Sequence, residues 1–175
     1  PLEIINHYEL PEYVGKNTLV FAISYSGATE ETLTAVKQAR TRRAKIVGIT
    51  VGGSLGAWCK KNRVPCYIFD PRYNPSGQPR LGMGYTLMAM LALLTKTKTL
   101  HQSLALPTKL SFEQSFGPAI STNKNPAKQI AAQLKDRGVL IFASEHLLGN
   151  AHTIANQINE SAKQLAMSFA LPEMN

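Results

Sequence analysis

Apolar and polar positions in the first part of the chain come in short blocks of two kinds. Thr18 to Ile23, Lys45 to Thr50 and Pro65 to Phe69 are brief apolar runs rich in β-branched and aromatic residues, the composition of buried strands. Between them, about Thr29 to Thr41 and about Ser54 to Asn62 carry apolar residues at three- and four-residue spacing, which predicts amphipathic helices. The order is βαβαβ. Parallel neighbours need crossover connections, so this order predicts a parallel sheet with helices on both faces.

Residues 70 to 80 hold three prolines and a glycine and are expected to form an irregular loop. Leu81 to Leu94 is apolar on nearly every side and reads as a helix buried in the domain or at its interface. From Thr95 to Asn125 the composition turns polar, as expected of a connector. A second pattern follows: a helix at about Pro126 to Lys135, a turn at Asp136 to Gly138, a strand at Val139 to Ala143, a loop Ser144-Glu145-His146, and a helix to about Leu165. Strand, hydroxyl-bearing loop and helix thus occur twice, which suggests a duplicated fold. The expected boundaries are a first domain at 1–98, a connector at 99–125 and the start of a second domain at 126–175.

With 175 residues, 44% hydrophobic and 17% charged, the chain can bury a sizeable core. No apolar run approaches the roughly 20 residues that span a bilayer, so no membrane partner is expected. The start at Pro1, without Met or signal-peptide features, suggests a cut piece. Cys59 and Cys66 have no nearby pair of histidines, so neither a zinc site nor a disulfide framework is implied, and thiols in a reducing compartment are expected. The net charge of +8 has its densest cluster at Arg40, Arg42, Arg43 and Lys45, at a helix end. Cations there complement the C-terminal dipole and mark a solvated edge, and no nucleic-acid motif accompanies them. An anionic small molecule fits the charge equally well.

The most informative stretch is Ser24-Tyr-Ser-Gly-Ala-Thr29, at the junction of the first strand and helix. Hydroxyls at Ser24, Ser26 and Thr29 can donate to phosphate oxygens, Gly27 permits close backbone approach, and the N–H groups of the following helix face the same point. The plainer alternative is a capped helix, with Thr29 as N-cap and the serines satisfying loop backbone. Capping accounts for one hydroxyl and leaves the others unexplained.

The segments Ser24-Tyr-Ser-Gly-Ala-Thr-Glu-Glu-Thr-Leu33, Lys45 to Thr50 with Gly52-Gly53, Gln78-Pro-Arg-Leu-Gly-Met-Gly-Tyr85, Asn159-Glu160-Ser-Ala-Lys163 and Leu171-Pro-Glu-Met-Asn175 stand in this order. Together they resemble the bifunctional phosphoglucose/phosphomannose isomerases, enzymes built from two sugar isomerase (SIS) domains. The resemblance implies an α/β fold of three αβα layers around a parallel sheet, the first domain lacking its N-terminal part and the second truncated. It further implies interconversion of glucose 6-phosphate or mannose 6-phosphate with fructose 6-phosphate in a cytoplasmic homodimer, without metal or organic cofactor. Ser24, Ser26 and Thr29 would hold the phosphate, Arg80 would face the reacting carbons, and Glu160 would be the base moving a proton between C1 and C2.

Those residue types suit the chemistry, because an enediolate needs one group to carry a proton and a cation to stabilise oxygen charge. The residues themselves leave alternatives open. Glu160 falls opposite an expected core stripe of Ile154, Ile158, Ala162 and Leu165, the place of a solvated glutamate. Arg72 rivals Arg80, and His146 and His152 fit surface or supporting positions. Three family components fall outside the sequence: a Gly-Gly-Ser phosphate loop before Pro1, a ring-opening His after Asn175, and a later lysine. The segment alone is therefore expected to be inactive. A non-catalytic SIS sensor of phosphosugars is the competing function, although no helix-turn-helix accompanies the domain.

Overall fold

A computed structural model describes residues 2–99 and 115–172. The chain divides into two compact units, Pro1–Ser103 and Leu104–Asn175.

In the first unit, β1 (Leu19–Ile23), β2 (Lys45–Thr50) and β3 (Cys66–Ile68) form a parallel sheet in the order β1-β2-β3. Ile23 lies opposite Ile49, and Ile49 opposite Tyr67. The crossovers are α1 (Glu30–Thr41) and α2 (Gly53–Lys61). Val36 and Ala39 of α1 and Leu55 and Cys59 of α2 pack with Ala22 and Ile46 in one apolar cluster, so both helices cover the same face of the sheet. Leu10 and Val14, from the segment before β1, close that cluster. The other face packs on α3 (Met83–Lys96) through Ile49, Phe69 and Ala89. Three layers result, with the sheet in the middle, as expected of the SIS-type α/β class.

The apolar stretch from Leu81 to Leu94 is less buried than the intradomain half of its expectation requires. It is a helix from Met83, but only Ala89 and Leu94 are buried in it, and Leu81, Leu87 and Met88 are exposed. One face packs and the other faces outward. The expected connector falls largely outside the described residues.

The second unit opens with α4 (Pro126–Leu134), whose N-cap Asn125 is buried and accepts from Lys128 N at 3.2 Å. Proline at N1 fits, because that amide has no helical partner. β4 (Val139–Ala143) follows, then α5 (Leu148–Gln157), a π turn at Ile158–Ala162, and β5 (Ala166–Ala170). β5 pairs in parallel with β4, Val139 opposite Ala166 and Ala143 opposite Ala170. The sequence pattern extends the helix to Leu165 and omits β5. In the structure the α-helix ends at Gln157, and the residues buried from it are Ala151 and Ala155. Ile154 and Leu165 are exposed while Ile158 packs against the core, so only part of the expected apolar stripe faces it.

Candidate functional site

Strands of a parallel sheet end at one edge, and ligands of such sheets bind beyond their carboxyl ends. Two loops meet at that edge in the first unit. The loop after β1 holds Ser24, Ser26 and Thr29; the junction of β2 with α2 holds Gly52 and, as the first residue of α2, Gly53. They are stitched by main-chain bonds from Val51 N to Tyr25 O (2.9 Å) and from Leu55 N to Gly27 O (2.8 Å). The buried Thr50 hydroxyl donates toward Tyr25 O (3.3 Å) and Gly52 O (3.1 Å) and accepts from Gly52 N.

Glycine is required where these loops touch. Gly27 has φ +75°, and a Cβ there would lie 2.1 Å from Gly52 O. Gly53 has φ +57°, and its Cβ would lie 2.3 Å from Ser26 O. Both approaches are backbone against backbone, so no side-chain rotation could relieve them.

Of the three expected phosphate hydroxyls, those of Ser24 and Thr29 are brought into contact. Ser24 is buried, its Oγ lies 2.8 Å from Thr29 Oγ1, and it accepts from Gly27 N at 3.0 Å. Ser26 accepts from Ala28 N at 3.2 Å. Thr29 occupies the N-cap position of α1 with extended backbone, yet its hydroxyl makes no capping bond and turns to Ser24 instead. The N-cap part of the plainer alternative therefore does not account for Thr29, whereas Ser24 and Ser26 do satisfy loop backbone as that alternative expects. Thr29 and Ser26 are exposed, while Ser24 sits behind them. Glu30 and Glu31 occupy the first turn of α1 and already complement its dipole, so the hydroxyls are the main donors available to an anion. The Glu30 carboxylate accepts from Tyr8 Oη at 3.4 Å, and the charges of Glu31 and Glu30, with partial desolvation, push the Tyr8 phenol upward.

Arg80 lies in a 3-10 turn at Pro79–Leu81, just before α3, and is half-buried. Its loop is clamped to the hydroxyl loop through Tyr25. The buried Asn74 donates from Nδ2 to Tyr25 Oη (2.7 Å) and to Gln78 O (2.9 Å), and accepts from Ser76 Oγ (2.6 Å). The Tyr25 ring meets Phe69 edge-on at 5.5 Å, and a Cβ on Gly82 would come within 2.4 Å of it. Sequence reasoning missed Asn74, because its partner is 49 residues away and no local pattern marks it. The rival Arg72 pairs with Asp70 at 2.7 Å on the loop surface.

Glu160 belongs to the second unit, in the π turn at Ile158–Ala162, where it is exposed. The neighbouring Asn159 side chain donates to Ala166 O (2.8 Å) and accepts from Ala166 N (2.9 Å), tying the turn to the start of β5. A left-handed Lys163, φ +55°, ends it. His146 and His152 are both exposed, and His152 Nε2 lies 3.0 Å from Asn156 Nδ2. Among the described residues no group of three or more His, Cys, Asp or Glu is placed to hold a metal ion, and no helix is long and apolar enough to cross a membrane.

Residues 3–95 match the SIS domain, and residues 123–175 match the bacterial phospho-glucose isomerase C-terminal SIS domain. The chain belongs to the SIS-domain family. It is 33% identical, over its whole length, to the bifunctional phosphoglucose/phosphomannose isomerase of Caldicellulosiruptor bescii, and covers 52% of that protein. A protein of the same name from Thermoplasma volcanium is 31% identical over 100% of the chain and 53% of the relative. The kinship expected from the motifs is therefore met. A D-glucosamine-6-phosphate 4-epimerase of Sulfolobus acidocaldarius is 28% identical, over 100% of the chain and 58% of its own length. The chain spans about half the length of the curated relatives it matches. In fold it resembles a Salmonella typhimurium LT2 protein named as a phosphosugar isomerase, with a TM-score of 0.55 at 20% identity, covering 91% of this chain and 49% of that one.

Proposed function

We propose that the loop from Ser24 to Thr29 holds the phosphate of a sugar 6-phosphate, and that the chain forms part of an aldose-ketose isomerase interconverting glucose 6-phosphate or mannose 6-phosphate with fructose 6-phosphate. The observation that carries this reading is the Thr29 hydroxyl, which leaves its capping role and joins Ser24 above a glycine-closed loop at the carboxyl edge of the sheet. The names of the relatives support the reaction class.

In this reading Glu160 removes a proton from one of the two adjacent sugar carbons and returns it to the other. Arg80 stabilises the negative oxygen of the intervening enediolate. The Tyr25–Asn74–Gly82 clamp would keep the Arg80 loop at a fixed offset from the phosphate. A homodimer, which the resemblance implies, could use the outward apolar side of α3, and the enzyme would act in the cytoplasm.

The test uses a protein of the relatives' full length that includes these 175 residues. Glu160→Gln keeps the side chain's shape but cannot accept the proton, so interconversion and solvent exchange of the C2 proton should fall by about a thousandfold while fructose 6-phosphate still binds. Near-normal turnover in the Gln variant would remove Glu160 from the mechanism. Sugar-phosphate binding without turnover in the unmodified protein would favour the sensor.

A further inference from the structure

The opposite edge of the first unit's sheet carries a hollow of about 380 Å³, between the C-terminal ends of α1 and α2. Arg40, Arg43 and Arg63 line it, with Ala44, Val64 and Pro65. β2 is six residues long, so this hollow and the hydroxyl loop stand roughly 20 Å apart at opposite strand ends. No carboxylate lines it, and none of its three arginines makes an ion pair with a described acidic side chain. Arg40 Nη1 donates to Asn62 O at 3.1 Å, which ties α1 to the end of α2.

Helix-end compensation leaves much of this charge unexplained. Two helix C-termini present about half a negative charge each, against three permanent guanidinium charges, an excess of roughly two. Several terminal carbonyls are already met by backbone donors: Arg42 N to Gln38 O, Arg43 N to Arg40 O, Asn62 N to Trp58 O and Arg63 N to Lys60 O. Arg43 and Arg63 are left-handed, with φ +60° and φ +55°, in the position just after each helix C-cap. Glycine is the unstrained residue there, and an L side chain costs about 1–2 kcal/mol. Lys98 and Asp136 share that conformation, so it is the convergence of two such arginines with Arg40 on one hollow that distinguishes this place.

We propose that this hollow is a second anion site, separate from the hydroxyl loop, which takes a small molecule carrying a pyrophosphate or bisphosphate group. The planar fork of each arginine suits phosphate oxygens, and such a ligand matches the excess charge. The proposal does not rest on the isomerase reading.

The experiment titrates inorganic pyrophosphate into the chain by calorimetry, on a Ser26→Ala/Thr29→Ala background that weakens the hydroxyl loop. Pyrophosphate should bind saturably, with affinity falling as salt rises and dropping about tenfold or more in Arg43→Ala/Arg63→Ala. Both arginines are exposed, so the variants should fold, and unchanged circular dichroism checks this. Equal affinity with and without the arginines, or no binding on the hydroxyl-loop background, overturns the proposal. So does arginine-dependent binding of duplex DNA without binding of pyrophosphate, which would make the patch a polyanion surface.

Discussion

Replacing Gly27 with Ala tests how tightly the two loops of the site are built. A Cβ at Gly27 would lie 2.1 Å from Gly52 O and 2.8 Å from Thr50 Oγ1, at φ +75°. The left-handed backbone alone costs an L residue about 1–2 kcal/mol. Driving two backbone segments apart adds a cost like that of overpacking, about 1–3 kcal/mol. The sum is about 2–5 kcal/mol, a large share of the roughly 5–15 kcal/mol that holds a typical domain folded. Gly77→Ala is the matched control, because φ is +65° there and nothing lies within 4 Å of the new Cβ. It should carry only the conformational cost, about 1–2 kcal/mol. Urea unfolding followed by the fluorescence of Trp58, the only tryptophan, reports on the first unit directly. Equal destabilisation by the two substitutions would refute the close loop contact.

Asn74→Ala removes the donor to Tyr25 Oη and should destabilise the first unit by about 1–3 kcal/mol, with faster amide exchange across the loop that carries Arg80; a change within error would mean the clamp is not holding that loop. Burial, and secondarily the neighbouring Cys66, push the Cys59 thiol up to about 12. The unfolded chain ionises this thiol near its ordinary value of 9.0, so its contribution to stability is complete below about pH 9 and declines as pH rises toward 12. Cys59 should therefore resist a disulfide reagent at pH 8 until the chain unfolds, and rapid labelling of the folded protein would contradict this.

The parts of the fold that rest on local patterning were legible in the sequence. β2 and β4 match their apolar runs residue for residue, and α1 begins one residue after Thr29, because short apolar strands and an amphipathic helix both print their period on the chain. β5 was not legible. Ala166-Met-Ser-Phe-Ala170 is composed largely of residues that also suit helices, and its strand state comes from pairing with β4, which no local window contains. The same reason hid the π turn around Glu160, which is tied down by Asn159 bonding to the first residue of that strand. In the site, the hydroxyl loop could be read from three hydroxyls and a glycine. The second glycine loop's role in closing it, and the Asn74 clamp, depend on contacts between distant segments.

Titration with fructose 6-phosphate of a protein of the relatives' full length that includes these 175 residues, with Ser26→Ala and Thr29→Ala as variants, tests the central claim most directly. Binding should be saturable, competed by inorganic phosphate, and weakened about tenfold or more by each substitution, because each removes a hydroxyl donor to a charged oxygen. Unchanged affinity in both variants would contradict the assignment of the Ser24 to Thr29 loop as the phosphate site.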